Sequence, residues 1–158
     1  MRTIRMSLAA AIAAFGAAGA LAQEAFDACE VFTAADATSV LGANAAAEPV
    51  NPKVKRPKVV ASCAYTATRE GRNLVATATF RFARSEAEAE RAFEDERLKF
   101  QTKPLLLPGA KGFWSAKQGQ LHVLKGRAWV ITAAGGALPA DRDIEASRRL
   151  AEALVRRL

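Results

Sequence analysis

The stretch that decides the fold is Leu74-Val75-Ala76-Thr77-Ala78-Thr79-Phe80-Arg81-Phe82. Leu74, Ala76, Ala78, Phe80 and Phe82 alternate with Val75, Thr77, Thr79 and Arg81, a period of two rather than 3.6. Such a segment is a β-strand with one face in a core and the other largely toward water. Just upstream, Arg69-Glu70-Gly71-Arg72-Asn73 is a polar turn with a glycine, and residues 59–68 read as a second strand. An antiparallel hairpin is the economical connection.

Downstream of the strand, Ser85-Glu86-Ala87-Glu88 has the pattern of a capping box, and acids crowd the first turn where the helix dipole favours them. Ala89, Ala92, Phe93, Glu96 and Phe100 fall at helical spacing, with Glu96 the one polar intrusion, which predicts a helix over about 86–101. Pro104 and Pro108 close that stretch, and residues 108–112 make a turn. Three strands follow, at 113–116, 121–125 and 127–134, with Gly126 taking positive φ in a tight hairpin. Gly135, Gly136 and Pro139 end the sheet. Asp141 or Asp143 then caps a final helix, where Ile144, Ser147, Ala151, Leu154 and Leu158 recur at three- and four-residue intervals.

Toward the N-terminus, Thr33-Ala34-Ala35-Asp36 resembles a capping box with Asp in place of Glu. It opens a two-turn helix over 34–41 with Val40 and Leu41 as apolar contacts, Gly42 as its stop and Val31 and Phe32 as a staple. Residues 43–58 break all periodicity. Pro49, Pro52 and Pro57 lie among Lys53, Lys55, Arg56 and Lys58, so the segment reads as an exposed loop. A basic segment of this kind can also dock an anionic partner, whereas a solvated loop is the plainer reading. The predicted order is α-ββ-α-βββ-α, an α+β domain with an antiparallel sheet of about five strands and helices packed on it.

The first twenty-two residues have the layout of a secretory signal. Arg2 and Arg5 form a positive head, residues 8–21 an Ala-rich apolar run, and Ala20-Leu21-Ala22 a small-residue cleavage triplet. Cleavage after Ala22 leaves one domain over 23–158, delivered to the periplasm or secreted. A retained anchor is the weaker reading, because the run is short of the ~20 strongly apolar residues a span needs. The leader holds two of the 23 basic residues and none of the 16 acidic ones, so 21 against 16 leaves +5 on the mature chain. Acids are mixed among the bases throughout, which argues against a nucleic-acid reader. Cys29 and Cys63, the only two cysteines, are expected to form a disulfide in an oxidising compartment, stabilising the fold by roughly 3–4 kcal/mol. A redox or metal pair is the alternative, but neither the Cys-x-x-Cys spacing nor enough further ligands are present.

Short motifs run through the mature chain: Asp27-Ala28-Cys29, then Phe32-Thr33-Ala34-Ala35-Asp36 with a helix ending Leu41-Gly42. Cys63-Ala64-Tyr65, Gly109-Ala110-Lys111-Gly112-Phe113-Trp114, Leu121-His122-Val123-Leu124-Lys125-Gly126 and Leu150-Ala151-Glu152-Ala153-Leu154 follow. In these the chain resembles exported bacterial domains of unknown function, many of them actinobacterial lipoproteins, related in architecture to the PsbP-like α/β/α sandwich. It departs from the lipoprotein members in having no Cys directly after the cleavage triplet. The resemblance implies an accessory or binding protein rather than an enzyme and supplies no catalytic residues.

His122 is the only histidine. Within a strand, between Leu121 and Val123, it faces away from both and is more often a packing or surface residue than a catalyst. Ser115 beside Trp114 lacks the local signatures of a serine hydrolase. The acids of the 86–96 stretch read as a solvated helix face, and no phosphate-cradling glycine loop is present. Trp114 and Trp129 pack in or beside the core unless a shared exposed face makes them a platform. These residues lead to an expected non-catalytic envelope domain with no cofactor, contacting a protein or envelope component through Lys53, Lys55, Arg56, Lys58, Trp114 or His122. The rival expectations are a small periplasmic hydrolase using His122, and an inhibitor of a secreted enzyme inserting its 43–58 loop.

Overall fold

The computed structural model describes residues 26–46, 60–102 and 104–158. The leader, and residues 47–58 with Lys53, Lys55, Arg56 and Lys58, lie outside the described residues. Helices α1 (Ala28–Val31) and α2 (Ala34–Leu41) come first, followed by strands β1 (Val60–Arg69) and β2 (Arg72–Phe82) and helix α3 (Glu86–Lys99). Strands β3 (Pro104–Leu107), β4 (Ala110–Ser115), β5 (Gln120–Lys125) and β6 (Ala128–Gly136) precede a 3₁₀ turn at Pro139–Asp141 and helix α4 (Ile144–Val155). The six strands form one sheet, β1-β2-β6-β5-β4-β3, antiparallel at every pairing. The class is α+β, with helices on both faces of the sheet.

The alternation in β2 survives intact: Leu74, Ala76, Ala78 and Phe80 are buried, Val75, Thr77 and Thr79 half-buried, and Arg81 exposed. Register extends the buried side to Ala61, Cys63, Tyr65 and Ala67 on β1 and to Val130, Thr132 and Ala134 on β6. Helices α1, α2 and α4 cover this side and complete the larger core. On the opposite side, Phe113, Leu124, Trp129 and Ile131 pack beneath Ala89 and Phe93 of α3.

The local signals for the helices hold. The Asp36 amide donates to Thr33 Oγ1 at 3.4 Å and the Thr33 amide to the Asp36 carboxylate at 3.0 Å, closing the capping box of α2. Gly42 ends that helix at φ 62°. Ser85 caps α3, and Asp143 rather than Asp141 caps α4, accepting from the Glu145 and Ala146 amides at 2.8 and 3.0 Å. Cys29 and Cys63 are joined in a disulfide with Cα atoms 5.3 Å apart, tying α1 to β1.

The sheet has six strands rather than about five, and the order is αα-ββ-α-ββββ-α. The extra strand is β3, Pro-Leu-Leu-Leu, which begins at Pro104 and is followed by Pro108, two prolines that read as stops in the sequence. Leu107 pairs with Ala110 across the two-residue turn. Antiparallel alternation therefore turns the backbone of residues 104 and 106 away from β4, toward the open side of the sheet, while Pro108 opens the turn itself. Proline has no N–H to donate, so at positions 104 and 108 nothing is lost from the ladder, and the pair marks an edge strand. The extra helix is α1, a single turn whose first free amide, that of Cys29, donates to Asp27 at 2.9 Å.

The remaining differences are of extent. The first hairpin turn has two residues, Glu70 at φ 52° and Gly71 at φ 73°, both positive as a type I′ turn requires. Gly135 and Gly136 belong to β6. On α4 the buried residues include Ala146, Leu150 and Val155, while Ile144 and Leu158 are more than a third exposed (37% and 38%).

Candidate functional site

His122 lies on β5, facing α3, and is 2% exposed. Its ring stacks on Phe113 with centroids 4.3 Å apart and planes 12° from parallel, and the Trp129 ring is 5.7 Å away. Neither ring nitrogen has a hydrogen-bond partner among the described residues, and nor has Ser115 Oγ, so the two side chains form no Ser–His pair. Burial holds the His122 pKa down at about 4, against the pull of the Glu96 carboxylate and with a small push from Arg81. The imidazole is neutral at ordinary pH and sealed from solvent, which denies it the reach a general base requires.

The tryptophans occupy opposite faces of the sheet. Trp114 pairs with Leu121 and is half-buried against the larger core. Trp129 is buried on the α3 side, edge-on to Phe93 at 5.7 Å, with the Arg81 guanidinium 4.8 Å from its ring centre. They share no platform. Among the described residues no group of His, Cys, Asp or Glu is arranged to hold a metal ion.

A cleft of about 730 Å³ lies at the end of the sheet beyond the β1–β2 turn. Three walls form it: the C-terminal end of α2, the β1–β2 hairpin, and the segment leading from β6 into α4. Leu41, Leu74 and Ala146 give it an apolar floor. Arg69 and Arg72 are direct cross-strand partners. By the two-residue alternation both extend the Ala67–Leu74 side of the hairpin, the cleft side. Arg69 Nη1 donates to Leu41 O at 3.4 Å, which steadies that guanidinium over the end of α2.

The opposite wall is brought close by glycine. A Cβ at Gly136 would lie 2.5 Å from Asp141 Cβ, and one at Gly135, itself at φ 131°, 2.7 Å from Asp141 O. Only bare backbone lets the 137–143 segment lie down on β6. Arg142 clamps it there, donating to Val75 O at 3.2 Å and Ala137 O at 3.0 Å. The Asp143 carboxylate is occupied as the α4 cap, whereas Asp141, Glu70 and Arg72 line the cleft with no ion pair or side-chain hydrogen bond to a described residue.

A second, more apolar groove of about 240 Å³ runs between the β3–β4 turn and the end of α4, over Leu107, Val123 and Val155. Lys125 at its rim is engaged, donating to Val155 O at 3.0 Å. Ligand pockets commonly measure ≈ 300–1,000 Å³, a range that includes the end cleft but not this groove.

The end-cleft residues were visible in the sequence only as a polar turn and a sheet terminus. The missed signal is parity: Arg69 and Arg72 sit on the same alternation as the core residues Ala67 and Leu74, where arginine is out of place unless it lines a recess. Among the described residues, no helix is long and apolar enough to cross a membrane. Comparison with family models, curated proteins and solved structures gives no match for the chain.

Proposed function

We propose that the chain is an exported, non-catalytic binding domain of the cell envelope, periplasmic or secreted once its 1–22 leader is removed, and that it holds a protein or envelope component in the end cleft. The Cys29–Cys63 disulfide supports export, since such bridges persist in oxidising compartments. The observation that carries the binding reading is the cleft itself, where Arg72 and Asp141 stand on separate walls above an apolar floor without partners among the described residues. The resemblance to exported PsbP-like domains points the same way. A hydrolase built on His122 finds less support, because the ring is enclosed by Phe113, Trp129 and α3.

The test is retention of detergent-solubilised envelope material on the immobilised, disulfide-intact protein. Arg72→Glu with Asp141→Lys should abolish retention of the specific component, while His122→Phe should leave it unchanged. Retention indifferent to the cleft changes overturns the reading. So does a hydrolytic activity that His122→Phe removes without lowering Tm.

A further inference from the structure

We infer that the end cleft recognises a short zwitterion of dipeptide size, its carboxylate held by Arg69 and Arg72 and its ammonium by Asp141; this rests on the binding reading above. Arg69 and Arg72 face each other directly across the hairpin. Like charges in that position repel, and a shared anion relieves the repulsion. Guanidinium groups are suited to gripping a planar carboxylate through paired N–H donors. Arg69 is already oriented by Leu41 O, and Arg72, which has no partner among the described residues, can close on the same anion.

The other end is fixed by register. Gly136 is the cross-strand partner of Leu74, and Asp141 lies directly above Gly136. Arg72 stands two residues further along β2, a displacement of about 7 Å in a strand. That matches the reach of two extended residues. Between the charged ends lie Leu74, Leu41 and Ala146, which suit small apolar side chains. The N-terminus of α4 takes no part in anion binding, because Asp143 already accepts from its Glu145 and Ala146 amides. Glu70, at the tip of the turn, lines the cleft without pairing with either arginine and so leaves the cationic pair available.

Titration of the folded, disulfide-intact protein with free Ala-Ala, followed by calorimetry and by the amide shifts of Gly71, Gly135 and Gly136, tests this. Saturable binding is expected, weakened about tenfold by N-acetylation and about tenfold by C-amidation of the peptide. Arg72→Gln should weaken Ala-Ala binding and erase the penalty for amidation, with Arg72→Lys intermediate. Asp141→Asn should erase the penalty for acetylation. Both positions are on the surface, so an unchanged Tm certifies the fold. Equal binding of the capped peptides, or no saturable shift at millimolar Ala-Ala, overturns the inference. If envelope retention still depends on the cleft in that event, the zwitterion is wrong and the binding reading stands. If retention is also indifferent, both fall.

Discussion

The two faces of this sheet are built to different standards. On the α4 side every buried polar group is used: Thr132 Oγ1 donates to Ser147 O at 2.9 Å, the Ala134 amide to Ser147 Oγ at 2.9 Å, and Ser147 Oγ to Asp143 O at 2.8 Å. Ala134 pairs with Ala76 on β2, and beyond the end of β5 Ser147 takes its amide where no β5 residue is paired. On the α3 side, Ser115 Oγ, both nitrogens of His122 and Trp129 Nε1 are buried with no partner among the described residues. A buried polar atom left unbonded costs about 1–3 kcal/mol. Helix α4 sinks six residues into its core, α3 only Ala89 and Phe93. The difference teaches that one face specifies the fold, while the other is a thinner cover placed over rings that would otherwise meet water.

The largest effect should come from the α4 side. Leu150→Ala is expected to cost about 2–5 kcal/mol and to shift the whole urea transition. Phe93→Ala should instead strip hydrogen-exchange protection from α3 while β1, β2 and β6 stay protected; a single concerted loss would break the contrast. Replacing Cys29 and Cys63 together by serine should cost roughly 3–4 kcal/mol, again on the α4 side.

Acid separates the faces next. The His122 pKa is about 4 in the fold against an ordinary 6.5, so the unfolded chain binds more protons between those values. Stability should therefore fall as pH drops from about 6.5 toward 4, by roughly 3 kcal/mol, and His122→Phe should flatten that window. On the α4 side the bidentate hydrogen bonds from Arg157 hold the Asp36 carboxyl at about 2 instead of 3.8. Its contribution is intact above pH 3.8 and is lost as pH falls toward 2; Asp36→Asn should cost about 1–2 kcal/mol at neutral pH. Denaturant titrations every half pH step check both windows. The smallest effect belongs to the exposed Lys111–Glu90 pair, where Lys111→Met should leave the urea midpoint all but unmoved.

What was legible in the sequence follows from how local each signal is. The α2 capping box, the β2 alternation and the pairing of two cysteines are decided within a few residues or by elimination, and they stand. Strand β3 was hidden because a proline's meaning depends on which way its nitrogen faces, which only pairing with β4 determines. The burial of His122 was similarly out of reach. Alternation assigned its face, but the aromatic rings around it come from β4, β6 and Phe100, just past the end of α3. The end cleft is assembled from three segments distant in sequence, so no spacing rule reports it.

Pro104 and Pro108 also bear on how the protein behaves when crowded. Leu106 is fully exposed at the rim of the sheet, the sort of residue that templates chain-to-chain growth. Pro104 offers no donor on the outward side and Pro108 ends the strand in a turn, so β3 presents an incoming strand with the Leu106 amide alone. A short rim of this kind is a poor template for edge-to-edge pairing, and Pro104→Ala should make concentrated protein more prone to it, read as a rise in light scattering.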